Sequence, residues 1–298
     1  MAAPSTLNRS LELAGTLPAL MVAADRVAAT VIQGVHGRRR VGQGDAFWQY
    51  RPFRDGDSAS QIDWRQSARS RHLFVRETEW EAAASVWLWR DASPSMHYAS
   101  LRNADTKAVR GELIMLALAS LLTDAGERVT VLGSGMRPIS GRIAVRRVVE
   151  TLFDETRDPA RILPSLPPMV PLPAHGTVVL VSDWLDPLDK IEEIIRYYAS
   201  VGVRGHLVQV LDPAEEDLPF DGHVKFEGLE AEGQHTIRRV EAVRTAYGAR
   251  LAAQKEGLQR LTRPADWTVH MHRTDRPPQT VLLSLYLAMA DLRRLNVA

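Results

Sequence analysis

Apolar positions change rhythm three times along the chain. Leu20, Ala24, Val27, Ala28 and Val31 recur at helical spacing and Gly34 supplies a stop, which predicts an amphipathic helix over 18–33. Residues 34–66 lose that spacing. Glycine, arginine and aromatics dominate there (Gly37, Arg38, Arg39, Arg40, Gly42, Gly44, Phe47, Trp48), so the segment reads as irregular with short strands, and 73–76 opens a further strand. After Glu81 the pattern becomes regular. Residues 85–90 and 177–182 are short, continuous apolar runs rich in Val, Trp and Leu, the mark of strands buried on both faces. Strands are also predicted at 128–132, 205–211 and 267–271. An antiparallel return is expected at 137–140, after the Gly133-Ser134-Gly135 turn, and a small hairpin from 224–226 and 236–240. Helices are predicted at 106–123, 143–153, 188–200, 241–261 and 280–295. The first of these is apolar nearly all round and so belongs at the centre of the fold. Residues 158–174 are proline-rich and loop-like.

Alternating strands and helices imply an α/β fold, a mostly parallel sheet with helices on both faces. The expected organisation is an extension over 1–80 followed by the α/β domain over 81–298. In such sheets ligands bind outside the carboxyl ends of the strands. Two of the strongest predicted strands end there in an aspartate. One runs into Asp91-Ala92-Ser93-Pro94-Ser95, the other into Asp183-Trp184. If the two strands are parallel neighbours, both carboxylates reach the same edge. Asp91, Ser93, Ser95 and Asp183 are then a hard oxygen donor set suited to Mg²⁺ or Mn²⁺. The serine hydroxyls are neutral, so a bound ion would keep charge to spare for an acidic group of a partner. In the alternative reading, Asp91 caps the following turn and the serines satisfy backbone groups.

Composition narrows the classes. The 298 residues carry no cysteine, which excludes disulfides, thiolate zinc sites and cysteine nucleophiles. The net charge of +1 gives no case for a nucleic-acid surface, and His36-Gly37-Arg38-Arg39-Arg40 reads as a solvated basic loop. No apolar run approaches the roughly 18 residues of a membrane span, and no secretory pattern opens the chain. A soluble, cytoplasmic protein is expected.

The Asp91-x-Ser93-x-Ser95 turn with a later Asp183 resembles the metal-ion-dependent adhesion site of von Willebrand factor A domains. The upstream series of Gly42-x-Gly44, Arg51, Gly56-Asp57, Ile62-Asp63-Trp64, Ala68-Arg69 and Val75-Arg76 resembles the bacterial family catalogued as domain of unknown function fifty-eight. The resemblance implies a von Willebrand factor A-like, Rossmann-type fold and a non-enzymatic adaptor or protein-interaction module. It also implies work with a MoxR-type AAA+ ATPase or a client protein, in protein maturation or complex assembly. Adhesion sites of this kind add a threonine from a loop between the two aspartate strands. Here that region offers Thr151 and Thr156, neither in a glycine-threonine loop.

Arg51, Asp57, Asp63, Trp64 and Arg69 read as a brace or docking surface, with Trp64 buried and Arg69 paired to Asp63 or Asp57. His270 and His272 share one face of a strand and read as polar residues at a sheet edge. A Mg-dependent phosphohydrolase using Asp91 and a metal-free structural scaffold stand as the alternative functions.

Overall fold

The computed structural model describes residues 22–32, 47–53, 62–70, 72–78, 83–101, 105–156, 164–228 and 233–295. They fall into two compact units, one of residues 1–35 with 84–298 and one of residues 36–83. Helix α1 (22–32) belongs to the first. The sequence reading places it in the extension over 1–80. Its stripe of Ala24, Val27, Ala28 and Val31 instead joins the main core with Leu113 to Leu122, because a stripe that apolar needs a large apolar face to cover it.

The smaller unit holds β1 (Phe47–Pro52), the one-turn helix α2 (Trp64–Ser67) and β2 (Phe74–Thr78). β1 and β2 pair antiparallel, with Arg51 opposite Val75. The Asp63 carboxylate accepts from Gln66 N–H at 2.9 Å and starts α2 as an N-cap. Ser67 Oγ, buried, accepts from Phe74 N–H and ties α2 to the strand that follows.

The larger unit is a mixed α/β body. Its strands are β3 (Ser85–Arg90), β4 (Arg128–Val131), β5 (Thr177–Ser182), β6 (Arg204–Leu211) and β9 (Thr268–Arg273), separated in sequence by the minor antiparallel pair β7 (Val224–Glu227) and β8 (Gln234–Ile237). Its helices are α3 (Lys107–Asp124), α4 (Arg142–Thr156), α5 (Leu188–Ser200), α6 (Pro213–Asp217), α7 (Val240–Thr262) and α8 (Pro278–Leu295). The five main strands are parallel throughout, in the order β4-β3-β5-β6-β9. The predicted antiparallel return is a single bridge between Val129 and Ile139. A mostly parallel sheet flanked by helices is consistent with a Rossmann-like fold of the von Willebrand A type.

Side-chain alternation along the strands builds two cores. Val86, Leu88, Val129, Val131, Val179, Val181, Val208 and Val210 face α1, α3, α4 and α8. Trp87, Trp89, Val178, Leu180 and Leu207 face α5 and α7. Gly205 marks how tightly the second face is closed. A Cβ there would lie 2.2 Å from the ring of Trp267, which is buried and donates from Nε1 to the Val203 carbonyl. Gly205→Ala is expected to cost about 1–3 kcal/mol through overpacking. Gly248→Ala, on the exposed side of α7 with nothing within 4 Å, is expected to stabilise by roughly 0.5–1 kcal/mol. Urea melts of the two variants should therefore move in opposite directions.

Among the described residues, no helix is long and apolar enough to cross a membrane.

The order of the sheet positions the site. β4 lies on one side of β3, while β5, β6 and β9 follow on the other. The direction of winding reverses between β3 and β5. In doubly wound sheets, the crevice at the carboxyl ends of such a strand pair is where ligands bind.

Candidate interaction site at the carboxyl edge of the sheet

Both predicted aspartates stand at that reversal. Arg90 pairs with Val181 in the β3–β5 register, and the Asp91 N–H donates to the Val181 carbonyl at 2.7 Å. Asp91 and Asp183 therefore leave adjacent strands at the same edge.

Asp91 is fully buried. Its Oδ1 accepts from Ser93 N–H at 2.7 Å, and its Oδ2 accepts from Ser182 Oγ at 2.9 Å. The turn continues into a short 3₁₀ segment, Pro94–His97. There the Ser93 and Ser95 hydroxyls lie 3.0 Å apart. The turn reading is thus realised at Asp91, whose carboxylate shapes the loop it begins. Burial pushes the Asp91 carboxyl from its ordinary 3.8 up to about 6; hydrogen bonds from Ser93 and Ser182 restrain the rise and the charge of Asp183 adds to it.

That shift gives a signed prediction. A carboxyl raised by about two units makes the charged form cost roughly 3 kcal/mol at neutral pH. A group with a raised folded pKa gains stability as pH falls from about 6 towards 3.8. Asp91→Asn keeps the acceptor for Ser93 N–H and removes the charge. In chelator at pH 7 it is expected to melt several degrees above the parent, and the gap should close on acidification. A variant that melts lower at pH 7 would mean that Asp91 stabilises the edge as an anion.

Asp183 is held differently. Its Oδ1 accepts from Leu185 N–H at 3.2 Å, and its Oδ2 accepts from Lys107 Nζ at 2.8 Å. Lys107, the first residue of α3, is only 1 % exposed. Its ammonium also contacts Glu215 Oε1 at 2.5 Å. Burial alone would lower the lysine pKa, but the charges of Asp183 and Glu215 outweigh it and hold the pKa above its ordinary value. The ammonium stays charged although it sits at the positive end of a helix dipole, so the two carboxylates carry the full burden of stabilising it.

Glu215 is positioned by a capping box. Its Oε2 accepts from Asp212 N–H at 2.8 Å, while Asp212 Oδ1 accepts from Ala214 N–H and so starts α6. The second Asp212 oxygen accepts from Ser100 N–H, fastening the loop after the serine turn to the end of β6. Tyr247 Oη donates to the Glu215 carbonyl at 2.5 Å. Beside Asp183, Trp184 takes a left-handed backbone conformation (φ 53°) with its side chain wholly buried. The strain of a bulky residue at positive φ turns the chain sharply after β5 and leaves the Asp183 carboxylate at the edge.

Sequence reasoning named Asp91, Ser93, Ser95 and Asp183, and the fold brings all four to one edge. It missed Lys107, Ser182, Asp212 and Glu215. Asp212-Pro213-Ala214-Glu215 directly after a strand is a capping-box signature, and that signal was there to find. Arg51 lies on β1, Asp63 caps α2 and Arg69 is exposed beyond it. Asp57 lies outside the described residues. Trp64 corrects its expectation: it is 64 % exposed, because α2 is a single turn whose inward position goes to Ser67. His270 and His272 do stand on the edge strand β9, but both are buried.

The donors suit a divalent ion only in part. Ser93 and Ser95 offer clustered hydroxyls, and Asp91 offers a carboxylate. Asp183 is already bound to an ammonium. A doubly charged ion ~5 Å from that ammonium would be repelled by roughly 7 kcal/mol at an effective dielectric of about 20. Among the described residues, no three His, Cys, Asp or Glu side chains are grouped to hold a metal ion.

Comparison with known proteins agrees with the resemblance carried by the upstream motifs. A family model described as a protein of unknown function, DUF58, matches residues 49–257. An uncharacterised protein of Mycobacterium bovis is 24 % identical over 287 residues, covering 92 % of this chain and 89 % of its own length. Uncharacterised proteins of two Mycobacterium tuberculosis strains match to the same extent. No solved structure matches. The family model spans well over half of the chain, on both sides of the serine turn, and the chain belongs to the DUF58 family.

Proposed function

We propose that the protein is a non-enzymatic interaction module that docks a partner on the carboxyl edge of its sheet. The partner implied by the family resemblance is a MoxR-type AAA+ ATPase or its client, with protein maturation or complex assembly as the process served. One observation carries the reading: at this edge Lys107 and Asp183 are buried and paired with each other and with Glu215, while apolar side chains are left outside. Leu101, Val109 and Leu185 are 49 %, 39 % and 42 % exposed. Leu101 follows the serine turn, Val109 lies in the first turn of α3, and Leu185 is two residues beyond Asp183. An apolar rim around a rigid polar centre suits a protein surface.

Phosphohydrolase chemistry is disfavoured by the same geometry. A nucleophilic Asp91 needs an open oxygen facing the substrate, but the carboxylate has no exposed surface and each oxygen already accepts a hydrogen bond.

The test is co-purification with the host's MoxR-type ATPase, using the parent and Leu185→Asp. The substitution is at an exposed position and should leave the melting temperature unchanged. Retention of the ATPase by the parent and its loss by Leu185→Asp is the expected result. Equal retention by both would place the interface elsewhere on the protein.

A further inference from the structure

The structure assigns the cation of this edge to Lys107. Its ammonium takes the place at Asp183 that a divalent ion would need, and the site works without a metal. Four observations converge. The Lys107 side chain is 1 % exposed, so its position is built in and not a chance surface pairing. Nζ is 2.8 Å from Asp183 Oδ2 and 2.5 Å from Glu215 Oε1. Glu215 is itself held by the Asp212 backbone through the capping box, so the second carboxylate is aimed before the lysine arrives. The remaining Asp183 oxygen accepts from Leu185 N–H. Asp183 thus has a fixed donor on each oxygen.

A lysine at the first position of a helix ordinarily extends into water, where the dipole penalty is screened. Lys107 is turned inward, between the end of β5 and the start of α6. The arrangement joins the edge's three converging segments by one charge: the α3 N-terminus, the Asp183 turn and the Asp212–Glu215 cap. A Mg²⁺ or Mn²⁺ ion supplies the same bridging charge in an adhesion-type site, but such an ion is lost in chelator. The ammonium cannot be lost in that way.

The proposal predicts what removing the ammonium does. In Lys107→Met the methylene volume stays, while Asp183 and Glu215 lose their counter-charge. They are then a pair of uncompensated carboxylates that a hard divalent ion can neutralise in the lysine's place. The inference shares its site with the docking surface proposed above but does not need a partner to be tested. Its failure would leave the Leu185→Asp result standing, and the reverse also holds.

The experiment measures Mn²⁺ binding by calorimetry, and melting in millimolar Mg²⁺ against chelator, for the full-length parent, Lys107→Met and Lys107→Arg. The parent and Lys107→Arg are expected to bind no Mn²⁺ at this edge and to melt alike in both buffers. Lys107→Met is expected to bind one Mn²⁺ and to melt higher with metal, and adding Asp183→Asn should weaken that binding by at least roughly tenfold. One-site Mn²⁺ binding by the parent that disappears in Asp91→Ala overturns the proposal. So does a folded Lys107→Met that gains no metal affinity. If Lys107→Met does not fold in chelator, recovery of the fold on adding Mn²⁺ supports the assignment; failure to recover counts against it, and the parent's own titration still decides.

Discussion

Acidifying the protein from about pH 7.5 to about pH 4.5 is expected to remove on the order of 5 kcal/mol of its folding free energy. The source is a line of buried histidines. His206 on β6 and His270 on β9 are bridged by Thr268: its hydroxyl lies 2.7 Å from His206 Nδ1 and 2.8 Å from His270 Nε2. His270 Nδ1 lies 3.0 Å from Ser284 Oγ on α8. His272 is buried two residues further along β9. Burial pulls His206 from its ordinary 6.5 to about 3, with the neighbouring His270 and Arg204 adding to the fall. Burial likewise lowers His270 and His272 to about 4.

A histidine with a depressed folded pKa binds more protons when unfolded. Its stabilising contribution is complete above about 6.5 and is lost as pH falls towards the folded values. At pH 4.5 each of the three has given up about 2.5 kcal/mol, at about 1.4 kcal/mol per pH unit. Asp91 works in the opposite sense between 6 and 3.8 and returns about 2 kcal/mol. Domains of ordinary stability have only 5–15 kcal/mol in all. The measurement is urea unfolding across this range for the parent and for His270→Gln, whose amide can still bond Thr268 and Ser284. The parent midpoint should fall steeply with acid, and the variant should fall less. Parallel curves would mean that the histidines do not govern the acid response.

Trp184→Ala is expected to cost 3–5 kcal/mol, the range for removing a buried tryptophan. The indole is wholly buried and packs with Trp89 at a ring separation of 6.4 Å. Its Nε1 donates to the Val208 carbonyl at 3.1 Å. The Trp184 carbonyl accepts from Gln254 Nε2 on α7, and its N–H donates to Ser182 Oγ, the hydroxyl that also donates to Asp91. Alanine keeps the unfavourable positive φ and loses the packing that maintains it. Trp184→Phe retains most of the buried ring and forgoes the Val208 bond, so a loss of only about 1–2 kcal/mol is expected. The two denaturation midpoints against the parent would separate packing from hydrogen bonding. A small loss in the alanine variant would mean that the strained turn holds itself.

The strands and long helices were readable because burial writes a plain pattern. Ser85–Arg90 and Thr177–Ser182 were predicted residue for residue, since a strand covered on both faces is one uninterrupted apolar run. The two terminal aspartates could then be placed from the sheet rule alone. Short-range chemistry was harder to read. Lys107 looks like any lysine at a helix start, and nothing local reveals that its partners lie 76 and 108 residues away. Glu215 lies on α6, a five-residue helix, which is too short to leave a periodicity in the sequence. Trp64 was misjudged because aromatic residues are usually covered, and a one-turn helix has too few positions to cover one. The allegiance of α1 was obscured by the irregular segment that follows it.

That allegiance has a consequence for how the chain is made. The Ser120 hydroxyl on α3 donates to Asp25 on α1 across a separation of 95 residues. A ribosome adding roughly 5–20 residues per second needs roughly 5–20 s to cover that distance. For that interval the apolar stripe of α1 has been made while the helix that shelters it has not. Nascent chains long enough to expose α1 but not yet α3 should therefore be the species that chaperones hold, and release should coincide with the emergence of α3.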